Sequence, residues 1–181
     1  QGITGKGITV AVVDTGIDTD HVLFHKDQVL KDKCKSFVSG EPTVEDGNGH
    51  GTHCATTVGG KVNEGGHVVG IAPDAKIVGV KVLSAGGSGT WSGVQKGIEY
   101  STSLGVDVIS MSLGGGNGST YNGVEKAVAN SIKTGVVNVI AAGNSGKNRV
   151  GSPGCVPIAI TVGAIDKYGK VAYFSSYGTV A

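Results

Sequence analysis

A chain of 181 residues, 39% hydrophobic and 16% charged, has the size and balance of one globular domain with a buried core. The net charge is +1 with Lys and Arg scattered, which excludes the basic footprint of a nucleic-acid or anionic-lipid binder. No apolar run approaches the roughly 20 residues that span a bilayer, and no basic, apolar, small-residue series opens the chain.

The first predicted element is Ile8 to Val13, a short β-branched apolar run that reads as a buried strand, followed by Asp14-Thr15-Gly16. Asp20 to Gly49 is polar and aperiodic, a surface loop with short strands that the pattern does not place. His50 to Val58 has helical spacing. Ile77 to Leu83 reads as a strand, Ser92 to Leu104 as a helix, and Val106 to Met111 as a strand running into Ser112-Leu113-Gly114-Gly115. A helix over Tyr121 to Thr134, a strand over Val136 to Ala142, the turn Gly143-Asn144-Ser145-Gly146 and a strand over Ile158 to Val162 complete the series. Strands alternating with helices predict an α/β fold with a parallel sheet, whose chemistry collects beyond the carboxyl ends of the strands. The 33 glycines follow no repeat; they serve turns and close backbone approach. Cys34, Cys54 and Cys155 fit neither a zinc ribbon nor a C-x-x-C pair, and allow at most one internal disulfide.

Asp14-Thr15-Gly16 after a strand is ambiguous alone, since such a carboxylate serves aspartic proteases and actin-like phosphate sites as well as ordinary turns. An aspartic protease needs two facing carboxylates, and no second Asp-Thr-Gly exists in an α/β pattern unsuited to that fold. Asp46-Gly47-Asn48-Gly49-His50-Gly51-Thr52-His53-Cys54-Ala55 is more specific. Gly49 turns the backbone into a helix and places His50 in its first turn, facing a cleft. The His50/His53 pair at i, i+3 lacks a third ligand and the Glu of an H-E-x-x-H motif, so His53 reads as a structural, hydrogen-bonded histidine. His21, His25 and His67 sit in polar stretches and read as solvated.

Val12-Val13-Asp14-Thr15-Gly16-Ile17-Asp18, then His50-Gly51-Thr52-His53-Cys54-Ala55, then Ala141-Ala142-Gly143-Asn144 resemble the subtilase family, in that family's order. Asp-Gly-Asn-Gly before His50 and a Cys four residues after it make the match closest to the proteinase K branch. The resemblance covers essentially the whole chain. It implies a three-layer α/β/α fold with a mostly parallel sheet, residues 1–181 forming the N-terminal and central part of a single peptidase domain. It implies a serine endopeptidase acting on polypeptides, needing no cofactor for its chemistry.

By the same resemblance, His50 is the general base and acid, and Asp14 fixes its tautomer. Asn144, which alone between glycines reads as a turn residue, offers its amide to the oxyanion. Substrate would pair as an added strand with Gly87-Ser88-Gly89-Thr90 and Ser112-Leu113-Gly114. Ala141, Ala142 and Gly143 would line an S1 pocket without a buried charge, giving broad specificity leaning to apolar or aromatic P1 residues. Trp91 reads equally as a rim residue of S4 and as a helix-start aromatic on the core. The carbonyls of Pro157 and Ala159 match positions that help hold a structural calcium. A secreted or extracellular protein, or a vacuolar one, and a monomer follow from the resemblance only.

Two departures stand out. Thr56 occupies a position where the family commonly has Gly, and the family's Gly-Thr-Ser-Met-Ala nucleophile motif is absent; Ser112, Ser145, Ser152, Ser175 and Ser176 lack its context. The stop inside what reads as a strand favours a fragment of a longer chain, inactive as it stands. The alternative is a catalytically dead, peptide-binding homologue. Cys54, one helical turn beyond His50, is expected to be a free thiol and a small buried hydrophobe behind the imidazole.

Overall fold

The computed structural model describes residues 2–61, 69–116 and 122–178. His67, Tyr121 and the stop at 179–181 lie outside the described residues. Among the described residues, six strands, β1 (Thr9–Asp14), β2 (Lys35–Ser36), β3 (Lys76–Lys81), β4 (Val108–Met111), β5 (Val137–Ala141) and β6 (Ile160–Val162), form one parallel sheet in the order β2-β3-β1-β4-β5-β6. Three α-helices among the described residues, α1 (His50–Gly59), α2 (Trp91–Ser103) and α3 (Asn122–Lys133), connect them.

Side chains alternate across the sheet, and the alternation builds two cores. Val10 and Val12 of β1 and Ile77 of β3 pack with Ala55 of α1 on one face. Ala11 and Val13 of β1 and Val78 and Val80 of β3 pack with Val94 and Ile98 of α2 and Val124 and Val128 of α3 on the other. The result is the expected three-layer α/β/α arrangement.

Strand β1 sits between β3 and β4, so the chain leaves its neighbourhood in opposite directions, which opens a crevice at the carboxyl ends of these strands. The predicted strands and helices are present within one or two residues of their expected bounds. The unplaced short strand is β2, whose two residues pair with Val80 and Lys81.

Candidate active site

Asp14, the last residue of β1, is fully buried, and its Oδ1 accepts from its neighbour's backbone, Thr15 N, at 2.7 Å. His50 opens α1 immediately after Gly49, whose φ of +101° is the left-handed turn that glycine permits. The ring's Nδ1 lies 2.7 Å from Asp14 Oδ1, while the His50 side chain stays 48% exposed at the cleft. With a carboxylate as acceptor, Nδ1 carries the proton and donates, which leaves Nε2 as the basic nitrogen.

A second carboxylate, Asp46, locks this pair together. Its Oδ1 accepts from Thr15 Oγ1 at 2.9 Å, Asn48 N at 3.0 Å and Gly49 N at 2.9 Å. Its Oδ2 accepts from Thr52 N at 2.9 Å and Thr52 Oγ1 at 2.7 Å. Thr15 Oγ1 in turn accepts from Gly51 N at 2.8 Å. The turn after β1 and the first turn of α1 are thus one hydrogen-bonded unit. Burial alone would raise the Asp46 carboxyl, but the bonds from Gly49, Thr52 and Asn48 outweigh it and hold the group well below the usual carboxylate range.

His53 departs from expectation: its side chain is exposed, and its ring makes no hydrogen bond among the described residues. His25 is exposed, whereas His21 is half-buried, accepts from Leu23 N at 3.3 Å through Nδ1 and meets Phe24 edge-on. Cys34, Cys54 and Cys155 are all free thiols. Cys54 Sγ lies 3.9 Å from His50 Nδ1, so the His/Cys/carboxylate cluster that comes together is Asp14, His50 and Cys54 rather than a His50/His53 metal pair. Thr56, the departure on α1, is accommodated by donating its hydroxyl to Thr52 O and His53 O of its own helix, at 3.0 and 3.1 Å.

A cleft of about 650 Å³ runs past His50. Its walls include Gly87 to Trp91, Ser112 to Gly116 and Ala141 to Ser145. The first two segments include the predicted binding edges; Gly87 to Thr90, Ser112 and Gly114 are exposed, and Leu113 is half-buried. A side chain at Gly89 would collide with Val82 O at 2.2 Å, which explains that glycine. Trp91 packs on the main core close beside Gly115, as a helix-start aromatic would, and it also lines the cleft. Arg149 also lines the cleft and, among the described residues, is the one permanent charge there, a feature the sequence reading did not single out.

Asn144 is exposed on the cleft wall. The loop carrying it is held from behind by Ser176, which is 1% exposed: Ser176 Oγ accepts from Ser145 N at 3.0 Å, and Ser176 N donates to Gly143 O at 2.8 Å. Pro157 and Ala159 lie in the turn before β6. Their carbonyls have the hard-oxygen chemistry of a calcium site. They would supply two of the six to eight oxygens such an ion takes, and no group of three acid, His or Cys side chains joins them among the described residues.

Fold and site together define an α/β protein with a hydrogen-bonded Asp14–His50 pair at a cleft beyond the carboxyl ends of its strands. The subtilase family profile matches residues 5–181, and the chain belongs to that family. Subtilisin DY of Bacillus licheniformis is 44% identical over 182 residues, covering 98% of this chain and 64% of its own length. Alkaline elastase YaB of Bacillus sp. (strain YaB) is 43% identical, covering 98% of this chain and 45% of its own length. A cuticle-degrading serine protease of Arthrobotrys oligospora is 43% identical, covering 97% and 42%. A crystal structure of a cold adapted subtilisin-like serine proteinase superposes with a TM-score of 0.85 at 36% identity, covering 99% of this chain and 62% of that one. The chain therefore spans less than two thirds of the length of these relatives. Bacterial and fungal relatives match at the same level, so overall identity does not sort the chain into one branch.

Proposed function

We propose that the protein carrying this chain is a serine endopeptidase, with residues 1–181 the N-terminal and central part of its peptidase domain. The observation that carries this reading is the 2.7 Å contact between His50 Nδ1 and the buried Asp14 carboxylate, at a cleft lined by Gly87-Ser88-Gly89 and Ser112-Leu113-Gly114. Asp14 holds the imidazole in one tautomer and stabilises the imidazolium; His50 Nε2 takes the nucleophile's proton and returns it to the leaving amine. The nucleophilic Ser is assigned to the part of the relatives' length that this chain does not span. Asn144 donates to the oxyanion. For the equivalent asparagine of subtilisin, a member of this family, loss of that donor is worth about 10²–10³ in kcat, a magnitude taken over rather than derived.

An extended polypeptide adds as a strand between Gly87-Ser88-Gly89 and Ser112-Leu113-Gly114. Ala141, Ala142 and Gly143 leave room for an apolar or aromatic P1 side chain, and Arg149 disfavours a basic one by like-charge repulsion. The chemistry requires no cofactor. A structural calcium on the carbonyls of Pro157 and Ala159 would need further oxygen ligands. Secretion and a monomeric state belong to the same proposal, and no helix among the described residues is long and apolar enough to cross a membrane.

Titration of the full-length protein with a fluorophosphonate tests the reading. One equivalent of label is expected, reduced at least about 10³-fold in rate by Asp14→Asn or His50→Ala. A full-length protein that binds peptides without labelling would instead be a catalytically dead binding module.

A further inference from the structure

The relay and the first binding edge meet through a side chain that neither contains. Lys81, the last residue of β3, is 1% exposed, and its ammonium lies directly under the Asp14 turn, donating to Thr15 O. The next two backbone N–H groups, Val82 and Leu83, both donate to Asp14 O, at 2.9 and 3.1 Å. The end of β3 therefore grips two successive carbonyls, those of Asp14 and Thr15, at the start of the turn that carries the Asp14 side chain. A buried ammonium needs a counter-charge, and Glu41 supplies it, with Oε2 at 2.9 Å from Lys81 Nζ.

Glu41 has a second task. Both of its carboxylate oxygens accept from Ala85 N, at 3.1 Å each. Ala85 stands two residues before Gly87, where the exposed binding edge begins, and the loop between is closed by Ser84 N donating to Ser88 O at 2.8 Å. The other side of Ala85 is held by Asn48 Nδ2, which donates to its carbonyl at 2.9 Å from a residue two before His50. Glu41 itself sits in the turn after β2, where Ser36 Oγ donates to its carbonyl at 2.6 Å.

We propose that Glu41 is a positioning residue for substrate: it pins Ala85, and with it the Gly87-Ser88-Gly89 edge, to the Lys81 ammonium that braces the Asp14 turn. This rests on the proposed peptidase function and adds to it a residue that touches neither substrate nor reacting atoms. The physical basis is pre-organisation. An edge with small or absent side chains has little packing of its own to hold it, so an unpinned edge must be ordered by each peptide that binds. The consequence is selective: substrates that lie along the edge depend on Glu41, and substrates that reach only the nucleophile do not.

The experiment compares the full-length protein with Glu41→Ala and Glu41→Gln, on a tetrapeptide p-nitroanilide that spans the edge and on p-nitrophenyl acetate, which does not. Calorimetric binding of the corresponding tetrapeptide acid is measured alongside. Glu41→Ala is expected to raise the tetrapeptide KM and the peptide Kd about tenfold, the size of one charge-assisted hydrogen bond. Its kcat/KM for p-nitrophenyl acetate, per titrated site, stays within about twofold. Glu41→Gln, whose amide oxygen can still accept from Ala85 N but carries no counter-charge for Lys81, is expected to recover only part of the loss. Should Glu41→Ala not fold, Glu41→Asp keeps the charge for Lys81 but shortens the reach to Ala85, and is expected to show the same selective loss. Equal losses on both substrates, or unchanged tetrapeptide binding, overturn the proposal. A wild-type protein that neither labels nor turns over overturns the peptidase reading instead, while the peptide Kd still decides the role of Glu41.

Discussion

Cys54 Sγ stands 3.9 Å from His50 Nδ1, one helical turn behind the nitrogen that Asp14 Oδ1 holds at 2.7 Å. Its chemistry is muted there. Burial pushes the thiol's pKa up, against the pull of a hydrogen bond from Ser112, and nearby Asp14 and Asp46 raise it further. A thiol kept protonated near neutral pH is a poor nucleophile, and this one packs against the core beneath α1 as a small apolar group. Cys54→Ala is therefore expected to keep activity within about threefold, because no step uses the sulfur. A bulky mercurial has no room on Cys54 without displacing the ring, so it should inhibit the full-length wild type and spare the variant. Peptide mapping that finds Cys54 in a disulfide, or a folded Cys54→Ala protein without activity, would sink this account.

Asp46 makes acid stability a test of the network that joins β1 to α1. Its carboxyl is held below the ordinary value of 3.8 by bonds from Gly49, Thr52 and Asn48 that overcome its burial. The sign follows from linkage: a carboxyl whose folded pKa is depressed adds stability above its unfolded pKa and loses it as pH falls toward the folded value. The window thus opens at about pH 4 and extends downward. Urea unfolding of the full-length protein at a series of pH values between about 2.5 and 7 should show Asp46→Asn less stable at neutrality. The two curves should converge as pH falls through this window. Curves that stay parallel to the lowest pH would show that the Asp46 charge is not what the network stabilises.

Much of this architecture was readable because burial on both faces forces a distinctive composition. β1 and β3 are dominated by buried Val, Ile and Ala, since both pack against α1 on one face and α2 on the other, whereas β4 and β5 alternate buried with partly exposed positions. β2 has no such signature: Lys35 and Ser36 are a strand only because their backbones pair with Val80 and Lys81. The Asp14 and His50 motifs pointed to a relay, but two residues 36 apart are brought to 2.7 Å by topology, not by any period in the sequence. Glu41 and Ser176 were hidden for a different reason. Each acts on backbone N–H groups distant in sequence, and such partners leave no local pattern. His53 was misjudged because its place in a motif says nothing about which way the helix turns it; in the fold it faces solvent.

Gly51 provides the sharpest separation of local preference from tertiary need. In an exposed helix, alanine is favoured over glycine by about 1 kcal/mol, so Gly51→Ala near the start of α1 looks stabilising from sequence alone. In the fold, a Cβ at this position would lie 2.1 Å from Gly16 O and 3.1 Å from both Gly16 N and Thr15 Oγ1. Backbone cannot yield as a side-chain tip does, and Gly16 is itself constrained: its φ is +119°, and a Cβ there would meet Val44 O at 2.3 Å. The helix must therefore retreat from β1, taking His50 away from Asp14 and breaking the bond from Gly51 N to Thr15 Oγ1, now 2.8 Å. A displacement of roughly 1 Å is enough to cost about 10²-fold in rate. Gly51→Ala in the full-length protein should lower kcat by at least about that factor. The tetrapeptide KM should hardly change, because neither binding edge lies on α1. The low-field proton resonance of the His50 Nδ1–H bonded to Asp14 should disappear with the activity. Retention of that resonance, or of activity within tenfold of wild type, would mean that β1 and α1 tolerate a closer approach than their backbones allow here.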